Sequence, residues 1–163
     1  MFKKRLEIIF IVITMMAISA LGYNYYSSYS FKNNDIPDNY KQRISDKEQE
    51  ILSNMQKNFG FVFKVPVIVT DEFKGRLYGL TSYRDGEIKI YLNKKVMRES
   101  IDYMVESVIA HEYAHALMFK LGHLHTKDKG HSQLWQQTCV KLGGKDCQQY
   151  VDQKEIILSK MPF

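Results

Sequence analysis

Several things are scarce in this sequence. Only two cysteines, Cys139 and Cys147, occur in 163 residues, which leaves no material for a multi-bridge disulfide scaffold or a cysteine-rich zinc ribbon. Neither sign of charge dominates. The net charge is +5, of which +2 falls in the first 22 residues and +3 is left for residues 23–163. A surplus that small argues for a solvated surface of mixed charge and against a nucleic-acid partner. There is no low-complexity tract and no internal repeat, so an ordinary packed core is expected over most of the length.

The one long apolar run lies at the amino terminus. Lys3-Lys4-Arg5 precedes a stretch from Ile8 to Gly22 that only Thr14 and Ser19 interrupt. A basic flank followed by an apolar run is the form of a signal peptide or of a single membrane anchor, and both readings stay open. Ala20-Leu21-Gly22 offers small residues for signal-peptidase cleavage. Without cleavage, Tyr23, Tyr25 and Tyr26 extend the run into the interface, so that residues 6–26 meet the membrane. No cysteine follows the run, which excludes a lipoprotein anchor. Either way the basic flank stays cytoplasmic and the rest of the chain lies on the other side, secreted or membrane-anchored. Residues 23–45 are polar, tyrosine-rich and aperiodic, and are expected to form a tether or strap before a domain at 46–163.

Within that domain, Ser45-Asp46-Lys47-Glu48 has the form of a capping box opening a helix, with Ile51, Leu52 and Met55 as its apolar face and Gly60 as its end. Val65 to Thr70 is β-branched and predicts a strand with Pro66 near its start. Arg76 to Tyr83 and Glu87 to Leu92 predict a hairpin around Asp85-Gly86. Ile88, Ile90 and Leu92 alternate with Lys89 and Tyr91, giving one buried and one wetter face. An edge strand of such a sheet could pair with an extended peptide.

The chemistry is carried by His111-Glu112-Tyr113-Ala114-His115. The spacing of Met104, Val105, Val108 and Ile109, continued by Ala116, Leu117 and Leu121, predicts a helix from Ile101 to a stop at Gly122. On a helix, histidines four apart leave the same face one turn above the other, so both imidazoles reach one zinc ion. A glutamate beside the first can take a proton from a water that the metal has made acidic, with a pKa near 7. A catalytic zinc takes three protein ligands, and His123, His125, Asp128, His131 and Glu155 are the candidates for the third. The metzincin pattern would need glycine and histidine where Met118 and Leu121 stand, which excludes that class; a gluzincin would need Glu155. His131 follows the loop Gly122–Gly130 and opens a new apolar-periodic stretch of Leu134, Trp135, Thr138, Cys139 and Leu142 that ends at Gly143-Gly144. A loop of that length can fold a second helix across the first and bring His131 to the metal, with Trp135 packing between them.

Taken together, His111-Glu112-x-x-His115, Gly130-His131-x-x-x-Trp135 and Cys139-x-x-Leu142-Gly143, with the Gly79-Leu80-Thr81 to Ile88-Lys89-Ile90 hairpin upstream, resemble the SprT-like zinc metallopeptidase domain over roughly residues 46–147. The resemblance implies an α+β zincin-like fold, zinc on His111, His115 and His131, and Glu112 as catalytic base. Ser132 departs from the family, which usually has glycine after the third histidine. The amino-terminal segment departs further, since the best-known members are intracellular and act on DNA-bound proteins. In an exported domain, Cys139 and Cys147 are expected to form one disulfide, contributing on the order of 2–3 kcal/mol. Val151, Ile156, Ile157 and Leu158 predict a last helix. The expected function is zinc-dependent hydrolysis of a protein or peptide substrate. The alternatives are a zinc-binding domain without turnover and an intracellular protease for DNA-bound protein.

Overall fold

A computed structural model describes residues 2–73, 77–123 and 130–148. The chain divides into two compact units with the boundary after Ile36. The first is one helix, α1 (Phe2–Asn33), none of whose residues is buried. At 1.5 Å per residue it is about 48 Å long, against a hydrocarbon layer of about 30 Å, so it is long and apolar enough to cross a membrane. The hydroxyls of Thr14 and Ser19 return their hydrogens to the carbonyls of Phe10 and Met15, at 2.8 and 2.9 Å. This satisfies the two polar side chains without water, as a lipid environment requires. The tyrosine-rich segment expected to be an aperiodic tether continues this helix to Asn33. No proline follows until Pro37, and Gly22 alone costs a helix only about 1 kcal/mol.

The second unit opens with α2 (Asp38–Phe59). It begins at Asp38 instead of Ser45, because Pro37 supplies a preset φ and needs no N–H partner, and Asp38 puts a negative charge on the first turn. Ser45 and Glu48 therefore sit inside the helix, and Glu48 accepts a hydrogen bond from Tyr113 at 2.8 Å instead of capping. Ile44, Lys47, Ile51 and Met55 form the buried stripe, and Gly60 in the left-handed conformation ends the helix.

Three strands, β1 (Val67–Thr70), β2 (Gly79–Arg84) and β3 (Glu87–Asn93), form a mixed sheet in the order β1-β3-β2. β1 runs parallel to β3, and β2 antiparallel, with Leu80 opposite Tyr91 and Thr81 opposite Ile90. Asp85 and Gly86 both have positive φ, which matches the right-handed strand twist and makes the tight turn. Pro66 lies just outside β1, where its carbonyl accepts from Ile90 N–H at 2.9 Å. The hairpin is thus found where expected, although Arg76 lies outside the described residues.

Asn93 caps the short α3 (Lys94–Glu99) through its side-chain oxygen. After Ser100 the chain enters the central helix. It is α-helical at α4 (Ile101–Tyr103), π-helical over Met104–Val108 and α-helical again in α5 (Ile109–Lys120). The wide turn departs from the uninterrupted helix expected here and rotates everything beyond it relative to the first turn. Ile109 N–H reaches Met104 O, while Glu106 O receives Lys145 N–H at 3.3 Å and its carboxylate pairs with Lys145 Nζ at 2.8 Å. α5 is buried on nearly every side, against β2 and β3, α2 and α6 (Gln133–Lys141).

Three α2 side chains collect the carboxyl-terminal end of α6. Asn58 donates to Lys141 O, Asn54 to Leu142 O and Lys47 to Gly143 O, at 3.0, 3.2 and 2.9 Å. These carbonyls have no partner within their own helix, so α2 acts as their cap. Cys139 and Cys147 form the expected disulfide. Leu134, the first of the apolar-periodic residues, is 45% exposed, while Trp135, Thr138, Cys139 and Leu142 are buried. The expected last helix lies outside the described residues. The second unit as a whole is the α+β domain expected, a small sheet with a hairpin packed on a long histidine-bearing helix.

Candidate metal centre

α5 carries His111 and His115 one turn apart, and the residue two before α6 is His131. The three Nε2 atoms form a nearly equilateral triangle, with His111 to His115 at 3.3 Å, His115 to His131 at 3.2 Å and His131 to His111 at 3.1 Å. A tetrahedral zinc with Zn–N bonds of about 2.0–2.1 Å separates its nitrogens by about 3.3 Å. The donor set therefore fits that ion in kind and in spacing, and the cluster is able to hold a metal.

The surroundings of His111 and His115 keep these two rings neutral. Burial, reinforced by the charge the His131 ring would carry, holds His111 down to about 4; burial and both neighbouring rings hold His115 down to about 3. Neutral imidazoles offer lone pairs, which a metal needs. The Trp135 ring, 1% exposed, touches all three: its centroid is 4.6 Å from that of His111, 5.1 Å from His115, on which it stacks, and 4.5 Å from His131. It is core packing, as expected, and also one wall of the histidine cluster. Gly130 is required by its φ of +81° and by the ring of His115, whose Cε1 would lie 3.2 Å from any Cβ there. Ser132 is the N-cap of α6, accepting from Trp135 N–H at 3.2 Å. It thereby secures the turn that presents His131 and gives the departure from the family glycine a structural use.

Glu112 lies against β2 and is buried. Burial raises its carboxyl from 4.5 to about 7, partly offset by hydrogen bonds from Thr81. Thr81 Oγ1 is 2.7 Å from Glu112 Oε2 and 2.8 Å from the main-chain oxygen of the same residue. Sequence patterns did not single out Thr81 for this contact, because its partner is thirty-one positions away. Hydrolysis of a peptide bond also needs a donor for the oxyanion, for which Tyr83, Tyr91, Tyr113 and Arg84 are nominal candidates. Tyr113 is unavailable: it is fully buried and its hydroxyl is engaged by Glu48 and Val65 O. Tyr91 alternates to the face of β3 away from Ile90 and Leu92, and Arg84 lies at the exposed hairpin end. His123 is exposed beyond the end of α5 and outside the cluster. His125, Asp128 and Glu155 lie outside the described residues.

A small mixed sheet against a helix bearing His-Glu-x-x-His, completed by a histidine from the next helix start, defines a metallopeptidase-like domain of the zincin type. A model of the SprT-like family matches residues 46–155, most of the chain, and the protein belongs to the SprT-like family, whose members are zinc-associated. Neither a curated protein nor a solved structure matches it.

Proposed function

We propose that the protein is a zinc-dependent endopeptidase whose domain works on the extracytoplasmic side of a membrane. The observation that carries this reading is the Nε2 triangle of His111, His115 and His131, on a helix that also carries the buried Glu112 at the position next to His111. The three histidines hold the metal. Zinc, when bound there, supplies a Lewis acid that polarises the scissile carbonyl and lowers the pKa of water. Glu112 accepts the proton of the attacking water and passes it to the leaving amine. β2 is an outer strand of the sheet and lies against α5. An extended substrate adds to the outer edge of this strand, which is terminal in the sheet among the described residues, through main-chain hydrogen bonds.

Location rests on α1 and the disulfide. The basic Lys3-Lys4-Arg5 flank keeps the amino terminus cytoplasmic, and a disulfide is maintained in an oxidising compartment beyond the membrane. We place the export or anchoring segment within residues 6–26 and the catalytic domain in the unit that starts at α2.

The test is zinc stoichiometry together with cleavage of an unfolded protein such as casein, on the full chain in detergent. Wild type should hold one zinc and cleave. Glu112→Gln should hold the same zinc and lose about 10²–10⁴-fold in kcat, and His131→Ala should lose the zinc. Full activity in Glu112→Gln rules the mechanism out, and absence of zinc from the wild type rules out the site.

A further inference from the structure

Glu112 is held by two residues of β2 that sit two apart and so face the same side of the strand. The first is Thr81, whose single hydroxyl hydrogen lies within reach of two acceptors, Glu112 Oε2 at 2.7 Å and Glu112 O at 2.8 Å. The second is Gly79. A Cβ there would stand 2.8 Å from both Cγ and Oε1 of Glu112 and 3.1 Å from its Cδ. These atoms belong to a buried side chain with Thr81 on one side and the α5 backbone behind it, so they have nowhere to retreat. Glycine at 79 is therefore a slot into which the glutamate stem fits, and Thr81 is a peg at its end.

We infer that Thr81, with the slot at Gly79, is the positioning residue that fixes the Glu112 carboxyl on β2. The inference rests on the peptidase reading for its catalytic part only. The Thr81 hydroxyl lies within hydrogen-bond distance of both Glu112 Oε2 and the Glu112 carbonyl, and the slot at Gly79 takes the stem, so the strand fixes the carboxyl at its end and along its length. A side chain without a hydroxyl at 81 loses the first of these holds. This grip also makes the edge strand proposed to receive substrate the strand that aims the base.

The experiment uses the full chain in detergent. Thr81→Val removes the hydroxyl at nearly constant volume and is expected to lower kcat at least about tenfold, with KM and zinc stoichiometry unchanged. Thr81→Ser keeps the hydroxyl and should recover most of the loss. Gly79→Ala leaves the hydroxyl in place but fills the slot, and should reproduce the kcat loss with zinc retained. A readout independent of turnover is a stability cycle on EDTA-treated protein: Thr81→Val, Glu112→Ala and the double variant. The double variant's drop in Tm is expected to be smaller than the two single drops combined, because each single change already breaks the same contact. Additive drops, or wild-type kcat in both Thr81→Val and Gly79→Ala, overturn the inference. Coupled drops in a protein whose wild type cleaves no peptide would leave the peg and slot standing and remove the peptidase reading instead.

Discussion

α1 and α5 are both apolar around most of their circumference, yet they meet opposite fates. α1 buries none of its residues in protein, whereas α5 is enclosed by the sheet, α2 and α6. A helix without a polar face must be covered, and the two available covers are lipid and a protein core. The treatment of polar groups separates them. Thr14 and Ser19 in α1 bond back to their own backbone. In α5 the polar side chains reach beyond the helix: Tyr113 to Glu48, Glu112 to Thr81, and His111 and His115 to His131. An apolar helix that keeps its polar groups to itself fits a membrane. One that spends them on tertiary partners builds a site.

The sharpest way to break this comparison is to place a charge in each helix. Leu117→Asp puts an unpaired carboxylate in a fully buried position and should prevent folding of the domain, seen as loss of the cooperative thermal transition. Ile13→Asp should leave that transition where it is and shift the protein from the membrane fraction to the soluble one on fractionation.

Trp135→Ala comes next. Removing the wall shared by three imidazoles should cost about 3–5 kcal/mol of stability by denaturant unfolding, and should weaken zinc retention against a chelator.

Proton titration sharpens the same point in EDTA-treated protein. In the unfolded chain His111 and His115 take protons near 6.5, but in the fold burial and the neighbouring rings hold them to about 4 and about 3. Their contribution is present above pH 6.5 and is lost as pH falls through those folded values. Glu112 runs the other way: burial raises it from 4.5 to about 7, so its contribution is complete below pH 4.5 and is lost as pH rises through 7. Tm measured from pH 4 to 9 should fall on both sides in wild type, and Glu112→Gln should flatten the alkaline limb alone.

The smallest effect belongs to Ser132→Ala, which removes the N-cap of α6 and should cost about 1 kcal/mol without loss of zinc at saturating metal.

Much of this was legible in the chain because it is written in short-range terms. Asp85-Gly86 demands positive φ and therefore a tight turn, and the triangle's first two corners follow from the helical repeat at His111 and His115. His131 required a further step, a loop that folds back, and the spacing of the apolar residues after it pointed that way. What was misread was also local in origin: Ser45 and Glu48 have the chemistry of a cap, but Pro37 and Asp38 start the helix earlier, and nothing between them breaks it.

By itself, then, the order of residues determined the membrane-length helix, the hairpin, the His-Glu-x-x-His face and the disulfide partners, since each depends on neighbours within a few turns or on there being only two cysteines. Only the tertiary structure decided that α6 is capped by Lys47, Asn54 and Asn58 of α2, that the central helix widens into a π turn over Met104–Val108, that Trp135 touches all three histidines, and that Thr81 and Gly79 grip Glu112. The π turn aside, those contacts join elements far apart along the chain. Periodicity and turn chemistry carry no information about such pairs, because their geometry exists only once the sheet and the helices have packed.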